Sequence, residues 1–330
     1  MLHGVHTTVA IDSPATLDSW HELVVANGGC FFHRYEWLTT MADVLGLDFH
    51  PLTVLADGKP AGIAPVLSKR VGPVRTVNWL PFPYVGPLVP AELLPDVLPL
   101  LRAWERRRRS VRSQHVLMST VEYSPGYTAH DDRTFVVDLR GRTEESLLRG
   151  VAPKRRAKIR RAQAGGVEIR PATGTEVGEL LPAWSAATFA AQGRPAPYPA
   201  AGYRAVWSAF GDCPDARFST AVLAGEPVCV QVSFAGAPRA VAWAMAGAGT
   251  KAASFAQPLL YWDTIRWALG RGSAEFDLVG APTEGVAAYK RDWGGRETHY
   301  SVLRRQAAAH RIALRLCAAI RPGRHRDGAR

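Results

Sequence analysis

Basic side chains dominate the residues that have chemistry to offer. Lys154, Arg155, Arg156, Lys158 and Arg160 fall within residues 149–161, which hold seven Lys or Arg and no acid. Guanidinium and ammonium groups at this density suit phosphate esters, whose contacts dominate nucleic-acid affinity and make it salt-dependent. Residues 102–112 add +5 and residues 301–330 add +7, so these three stretches carry +19 and the rest of the chain −8. The net charge of +11 therefore arises from segregated patches, whose field attracts polyanions. A solvated helix face explains any one patch. Three of them on an otherwise acidic chain point to a phosphate-bearing partner.

Other chemistries are excluded by what is missing. There is no G-x-x-x-x-G-K-S/T phosphate loop, no G-x-S-x-G nucleophile elbow and no H-E-x-x-H zinc helix. Gly247-Ala-Gly249 lacks the third glycine of a dinucleotide fingerprint and reads as a plain loop. Cys30, Cys213, Cys229 and Cys317 lie far apart with no C-x-x-C pair, which argues against zinc and against a disulfide scaffold. Cys229 alternates within an apolar strand, where a core role is expected. Residues 1–14 show no signal peptide, and no apolar run approaches the ~18–20 residues of a membrane span. A soluble cytoplasmic protein without metal or cofactor is expected.

The elements that must position these residues repeat. The length of 330 residues suits two domains, at ~150 residues each. Residues 50–70 read as a hairpin turning at Asp57-Gly58-Lys59-Pro60, and residues 217–234 as a second turning at Gly225-Glu226-Pro227. Gly58 and Gly225 are 167 residues apart, as are Pro60 and Pro227. Duplication of one α/β unit follows, over 1–150 and 151–330. Amphipathic helices are expected at 35–45, 182–192 and 203–210, a strand at 240–246, a helix at 258–269 and a short strand at 274–279. Pro153 opens a further helix to residue 164, closed by Gly165-Gly166, which carries the densest positive charge at the junction. A basic tail runs from about 304 to 330. The pattern is α+β around a mixed sheet.

Two blocks carry a family resemblance. Thr134-Phe-Val-Val-Asp-Leu139, Glu144-Glu145-Ser-Leu-Leu, Lys154-Arg155-Arg156-Ala-Lys-Ile-Arg160-Arg161-Ala162 and Gly166-Val167 look like the central block of Fem-type transferases. Leu259-Leu-Tyr-Trp-Asp-Thr-Ile-Arg-Trp-Ala268, Gly272, Phe276-Asp277-Leu278 and Tyr289-Lys290-Arg-Asp-Trp293-Gly294-Gly295 resemble their C-terminal block. Residues 31–38 and Tyr84-Val-Gly86-Pro87-Leu-Val match the N-terminal half more weakly. The resemblance spans most of 31–300.

It implies two acetyltransferase-like (GNAT) domains in tandem, each a mixed sheet flanked by helices, here without the coiled-coil arm of some members. It also implies acyl transfer to an amine, with an aminoacyl-tRNA donor and an acceptor among peptidoglycan precursors or peptide-like antibiotic intermediates. An acyl-CoA-dependent N-acyltransferase on the same fold is the alternative, and a non-catalytic RNA-binding protein a second. Against CoA, the stretch from Gly247 to Pro258 departs from the Q/R-x-x-G-x-G/A pyrophosphate loop, and a proline at the helix start would remove an N–H. Lys251 remains available to a phosphate. An aminoacyl ester is already activated, so the enzyme must place a neutral amine and stabilise an oxyanion. The resemblance assigns that electrostatic role to Lys290. Asp277, at a strand end, and Asp292 are candidate catalytic carboxylates, with Glu284 weaker. Arg194, Tyr84, Tyr289 and Trp293 are candidate substrate contacts. Trp79 and Phe82 beside Tyr84 would wall a groove or pack in the core, and for Trp79 the core is expected.

Overall fold

Each half of the chain builds the same series of strands. The computed structural model describes residues 8–307 apart from 13–16, 237 and 282. The first half comprises β1 (Val9–Asp12), α1 (Leu17–Ala26), α2 (Tyr35–Leu45), β2 (Asp48–Ala56), β3 (Lys59–Val71), β4 (Val74–Val77), α3 (Leu94–Arg107), β5 (Ser110–Val116) and β6 (Thr128–Asp138). Two helices follow, α4 (Glu144–Gly150) and the basic α5 (Pro153–Ala164). The second half comprises β7 (Glu168–Pro171), α6 (Leu181–Ala190), α7 (Ala200–Phe210), β8 (Ala216–Leu223), β9 (Glu226–Phe234), β10 (Arg239–Gly247), α8 (Lys251–Gly270), β11 (Glu275–Asp277), α9 (Glu284–Arg291) and β12 (Arg296–Gln306).

All twelve strands join one sheet, in the order β1-β2-β3-β4-β5-β12-β6-β11-β10-β9-β8-β7. Read inward from either edge, the two halves give one series, except that their sixth strands are exchanged. β12 pairs with β5 and β6 with β11. In both halves the fourth and fifth strands run parallel. The hairpins match residue for residue. Val54 faces Gly62 and, after a bulge, Leu55 faces Pro60; Ala221 faces Cys229 and, after the same bulge, Val222 faces Pro227. Positive φ at Asp57 and Gly58 (50° and 76°) recurs at Ala224 and Gly225 (52° and 83°), the two-residue turn that matches strand twist. This is an α+β fold built on a mixed sheet. No helical arm interrupts the described residues of the second half.

The halves share a core. Under α1, α2, α6 and α7, Phe31 stacks on Phe234 at 4.2 Å, and Trp37 meets Phe82, Phe210, Phe234 and Trp243 with ring centroids 5.2–6.1 Å apart. Rings of this size dominate burial energetics, so one half would lose much of its core without the other. The opposite face is covered by α5 and α8 in the second half, around Ile159, Leu260, Ile265 and Phe276.

Three local expectations need correction. α8 begins at Lys251, not at 258, because Thr250 caps it by accepting from the Ala253 N–H at 3.2 Å. Pro258 lies inside that helix. The strand expected at 274–279 stops at Asp277, since Val279 takes a φ of 61°. Trp79 is 42% exposed, whereas Phe82 and Tyr84 are core residues. Of the basic tail, residues 308–330 and with them Cys317 lie outside the described residues.

Candidate active site

A cleft opens where two parallel strands part. β10 pairs with β11 only over Arg239–Val241, opposite Glu275–Asp277. Beyond that point Ala242–Met245, Gln257 and Tyr261 of α8, Leu278–Val279 and α9 enclose about 570 Å³, largely apolar in its lining. A bulge between Ala242 and Ala244 in the pairing with β9 accompanies Trp243, which also lines the cleft. The β10 backbone facing this space has no strand partner, so an extended substrate can bond to it.

Lys290 lies at the cleft wall and is 8% exposed. Its Nζ donates to the carbonyl oxygens of Leu278, Val279 and, at 2.7 Å, Gly280. An ammonium has three donors, and all three are engaged here. Burial pushes its pKa down to about 8, opposed by the charge of Asp277. The carbonyls it gathers belong to the turn that holds Val279 at positive φ, a strained state for a β-branched residue.

Asp277 anchors the same turn from behind. It is fully buried and accepts from Tyr84 Oη (2.6 Å), Thr134 Oγ1 (2.5 Å) and the Val279 N–H (2.7 Å), with Arg239 at 3.6 Å. Asp277 does not line the cleft, and its bond to the Val279 N–H positions the turn. Tyr84 is likewise sequestered, and burial followed by the Asp277 charge raises its pKa, keeping it a neutral donor. Asp292 is turned away as well, in ion pairs with Lys154 (2.9 Å) and Arg155 (3.1 Å). Glu284 is an exposed partner of Arg291 and Arg133, whose bonds hold its pKa below the usual carboxylate range. Arg194 is exposed near Phe189, outside the cleft lining. Tyr289 does line it, beneath the Arg155 guanidinium at 4.3 Å, while Trp293 is buried against Tyr261 at 4.7 Å.

The basic helix divides into two sets. Arg155 is held by Asp292 and Tyr289, and Arg156 donates to the carbonyls of Arg149 (2.9 Å) and Val151 (2.6 Å), closing the end of α4. Lys158 faces elsewhere. With Arg161, Gly249, Thr250, Lys251, Ser254 and Phe255 it lines a cavity of about 390 Å³ at the N-terminus of α8. Arg160, next to Arg161 in sequence, is exposed but does not line this cavity. The positive end of a 20-residue helix adds to these cations. The CoA argument from Pro258 therefore loses its basis, since that proline is not at the helix start. A smaller space lined by Met245–Gly247, Gly249, Thr250, Ser254 and Gln257 lies between the two. It shares Gly249, Thr250 and Ser254 with the cationic cavity and Met245 and Gln257 with the apolar cleft, so the three line up as a groove. Gly247 permits this close packing, because a Cβ there would sit 2.7 Å from Cys229 Sγ and 2.9 Å from Ala253 Cβ.

Several groove residues escape sequence reasoning: Gln231, Trp243, Gln257, Tyr261 and Arg161. Gln231 had a signal, as a polar residue inside the apolar run Val228-Cys-Val-Gln-Val. It is 2% exposed, lines the cleft, and its Oε1 has no hydrogen-bond partner among the described residues. Arg161 follows Lys158 by one helical turn, which puts both on one face. Burial pushes the thiols of Cys30 and Cys229 up to about 12, which suits neither to nucleophilic work. Among the described residues no group of three His, Cys, Asp or Glu is arranged to hold a metal, and no helix is long and apolar enough to cross a membrane.

The duplicated series of strands, the parting parallel pair and the capped helix beside it define a tandem GNAT fold. Residues 153–291 match the family model of the acetyltransferase (GNAT) domain. Among solved structures the chain is similar to FemX, at 12% identity and TM-score 0.70, covering 88% of this chain and 96% of that one. It is also similar to the C-terminal DUF2156 domain of a candidate lysylphosphatidylglycerol synthetase from Agrobacterium fabrum, at 13% identity and TM-score 0.57 over 94% of this chain and 98% of that one. A tandem GNAT protein from the clavulanic acid biosynthesis pathway gives 14% identity and TM-score 0.51 over 91% and 99%. No curated protein matches the sequence significantly.

Proposed function

We propose that the protein is an acyltransferase that moves an amino acid from aminoacyl-tRNA to an amine, forming an amide on a peptidoglycan precursor or a peptide-like small molecule. One observation carries the reading: a cationic cavity at the start of α8 and a largely apolar cleft walled by Lys290 both share lining residues with the small space between them. Phosphates of the tRNA end meet Lys158, Arg161 and Lys251, and the aminoacyl ester extends along β10. The motif resemblance and the likeness to FemX and the synthetase domain support an aminoacyl donor.

In this mechanism the acceptor amine, as the free base, attacks the ester carbonyl. The new C–N bond forms as the C–O bond to the ribose breaks, and the departing ribose hydroxyl takes the proton the amine gives up. Gln231 Oε1, without a partner among the described residues, accepts an amine N–H and fixes its direction. The Lys290 charge, in a site of low dielectric, lowers the energy of the oxyanion without a direct contact.

The start of α8 at Lys251 favours a second reading, acyl-CoA as donor, because helix N-terminal amides suit a pyrophosphate. One experiment separates them. The protein is incubated with a panel of amines and either a pool of charged tRNAs or acyl-CoA, and the products are read by mass spectrometry. Amide formed only from charged tRNA is expected. Product formed only from acyl-CoA replaces the donor, and RNA binding without product in either arm removes the enzyme.

A further inference from the structure

Away from the groove, the first-half end of the sheet carries a second cationic surface that no ion pair among the described residues neutralises. Trp79, 42% exposed, follows β4, and the Arg112 guanidinium of β5 lies 3.0 Å from its ring centroid. Arg304 of β12 lies 5.7 Å from the same ring. Arg304 sits opposite Gln114, to which its Nε donates at 3.0 Å, and Gln306 sits opposite Arg112, so both guanidiniums rise from one sheet face. Lys69 of β3 extends this row through Thr76, which pairs with Arg112. Among the described residues none of Lys69, Arg112 and Arg304 has an acidic partner, although most other cations of the sheet do. Among the described residues the buried Nε of Arg112 also has no acceptor, and its pKa is lowered first by burial and then by Arg304. Glu105 and Asp48 are committed to the opposite face, to Arg305 and Arg75. Beyond Ala307 the sequence continues with six Arg against Asp327.

An exposed indole flanked by uncompensated guanidiniums combines a stacking platform with phosphate donors, the pairing that holds single-stranded nucleic acid. We propose that this face binds an unpaired RNA segment, with a base stacked on Trp79 and the backbone on Arg112, Arg304 and Lys69. The inference rests on the reading that RNA is the donor's carrier, and it adds a contact in the half of the chain that lacks the groove. A charge-only surface would hold any polyanion equally and would not need the indole.

The test measures binding of a fluorescent 12-nucleotide single-stranded RNA, uncharged tRNA and heparin as a function of salt. The proteins are the full chain, Trp79→Ala, Arg304→Gln and a groove variant, Lys158→Gln/Arg161→Gln. Trp79→Ala is expected to weaken the RNA oligonucleotide about 5- to 100-fold while leaving heparin unchanged. Arg304→Gln is expected to reduce the salt slope by about one. The groove variant is expected to lose only its own share of oligonucleotide binding, so that adding Trp79→Ala to it weakens the oligonucleotide by the same factor as in the full chain. Circular dichroism melts confirm that each exposed-site variant is folded. If both patch variants bind RNA as the parent does while charged tRNA still supports amide formation, the inference fails and the donor reading stands. If Trp79-dependent RNA binding persists but only acyl-CoA gives product, the donor reading fails and the surface stands.

Discussion

The Tyr84 hydroxyl donates a 2.6 Å hydrogen bond to Oδ2 of Asp277, tying the first half of the chain to the strand that ends beneath the cleft. Both groups are buried, so the bond joins a neutral donor to a desolvated carboxylate. Tyr84→Phe keeps the ring and its 5.4 Å contact with Tyr300 but leaves that oxygen with Arg239 alone. Hydrogen bonds to charged groups contribute about 1.5–3 kcal/mol, and urea unfolding should show a loss of that size. An unchanged midpoint would mean that Arg239 suffices.

Lys290 should give the activity a basic limb. Burial sets its pKa at about 8, against an ordinary value of 10.5. If turnover needs the ammonium, the rate falls as pH rises through about 8, and Lys290→Met abolishes this limb while lowering the plateau about 10²–10³-fold. Stability moves the other way. Between about 8 and 10.5 the unfolded chain binds this proton and the folded chain does not, so the contribution stabilises as pH rises and is lost as pH falls. Pre-steady-state rates and denaturation across that window check both signs. A pH–rate profile identical in Lys290→Met would reduce the lysine to a clamp on the Val279 turn.

Glu105 is the junction that holds β12 in the first half. Fully buried, it accepts from Ser113 (2.8 Å), His115 (2.9 Å), Tyr127 (3.1 Å) and Arg305 of β12 (2.9 Å). Burial works to raise its pKa, yet the His115 and Arg305 interactions outweigh it and the net shift is downward. Its stabilisation is therefore present above the usual carboxylate pKa and lost as pH falls below it. Glu105→Gln leaves Arg305 without its counter-charge, and breaking a buried pair costs about 3–5 kcal/mol. Hydrogen exchange should show β12 amides opening earlier than those of β9.

Much of this arrangement is readable in the sequence, and what is not has physical reasons. The 167-residue offset is visible because a turn's Gly and Pro requirements are local. The exchange of β6 and β12 is not, because strand order depends on pairings far apart in the chain. Pro258 hides the start of α8, since proline is the commoner first-turn signal and Thr250 the true cap. Along α5 the side chains are chemically alike, and only tertiary partners such as Asp292 and the Arg149 carbonyl distinguish those already committed from those left to bind. Asp277 falls at a strand end as expected, but Tyr84 and Thr134 reach it from residues 193 and 143 positions away.

The division of the basic helix predicts which of its cations, with Lys251, bind the donor. Lys158, Arg161 and Lys251 line the cavity at the start of α8, whereas Arg156 is spent on the carbonyls of Arg149 and Val151. Each phosphate contact removed should lower the slope of log affinity against log salt by ~0.7–0.9. The triple variant Lys158→Gln/Arg161→Gln/Lys251→Gln should therefore lose ~2–3 of slope for tRNA. Its turnover at saturating donor should stay near that of the parent, because these contacts act equally in the ground and transition states. Arg156→Ala should do the reverse. Its tRNA salt slope stays unchanged, while the protein loses about 1–3 kcal/mol as two carbonyls give up a charged donor. Filter binding at four salt concentrations with parallel urea titrations separates the outcomes. Should Arg156→Ala flatten the slope and the triple variant leave it intact, the donor lies along the α4–α5 junction instead of the groove.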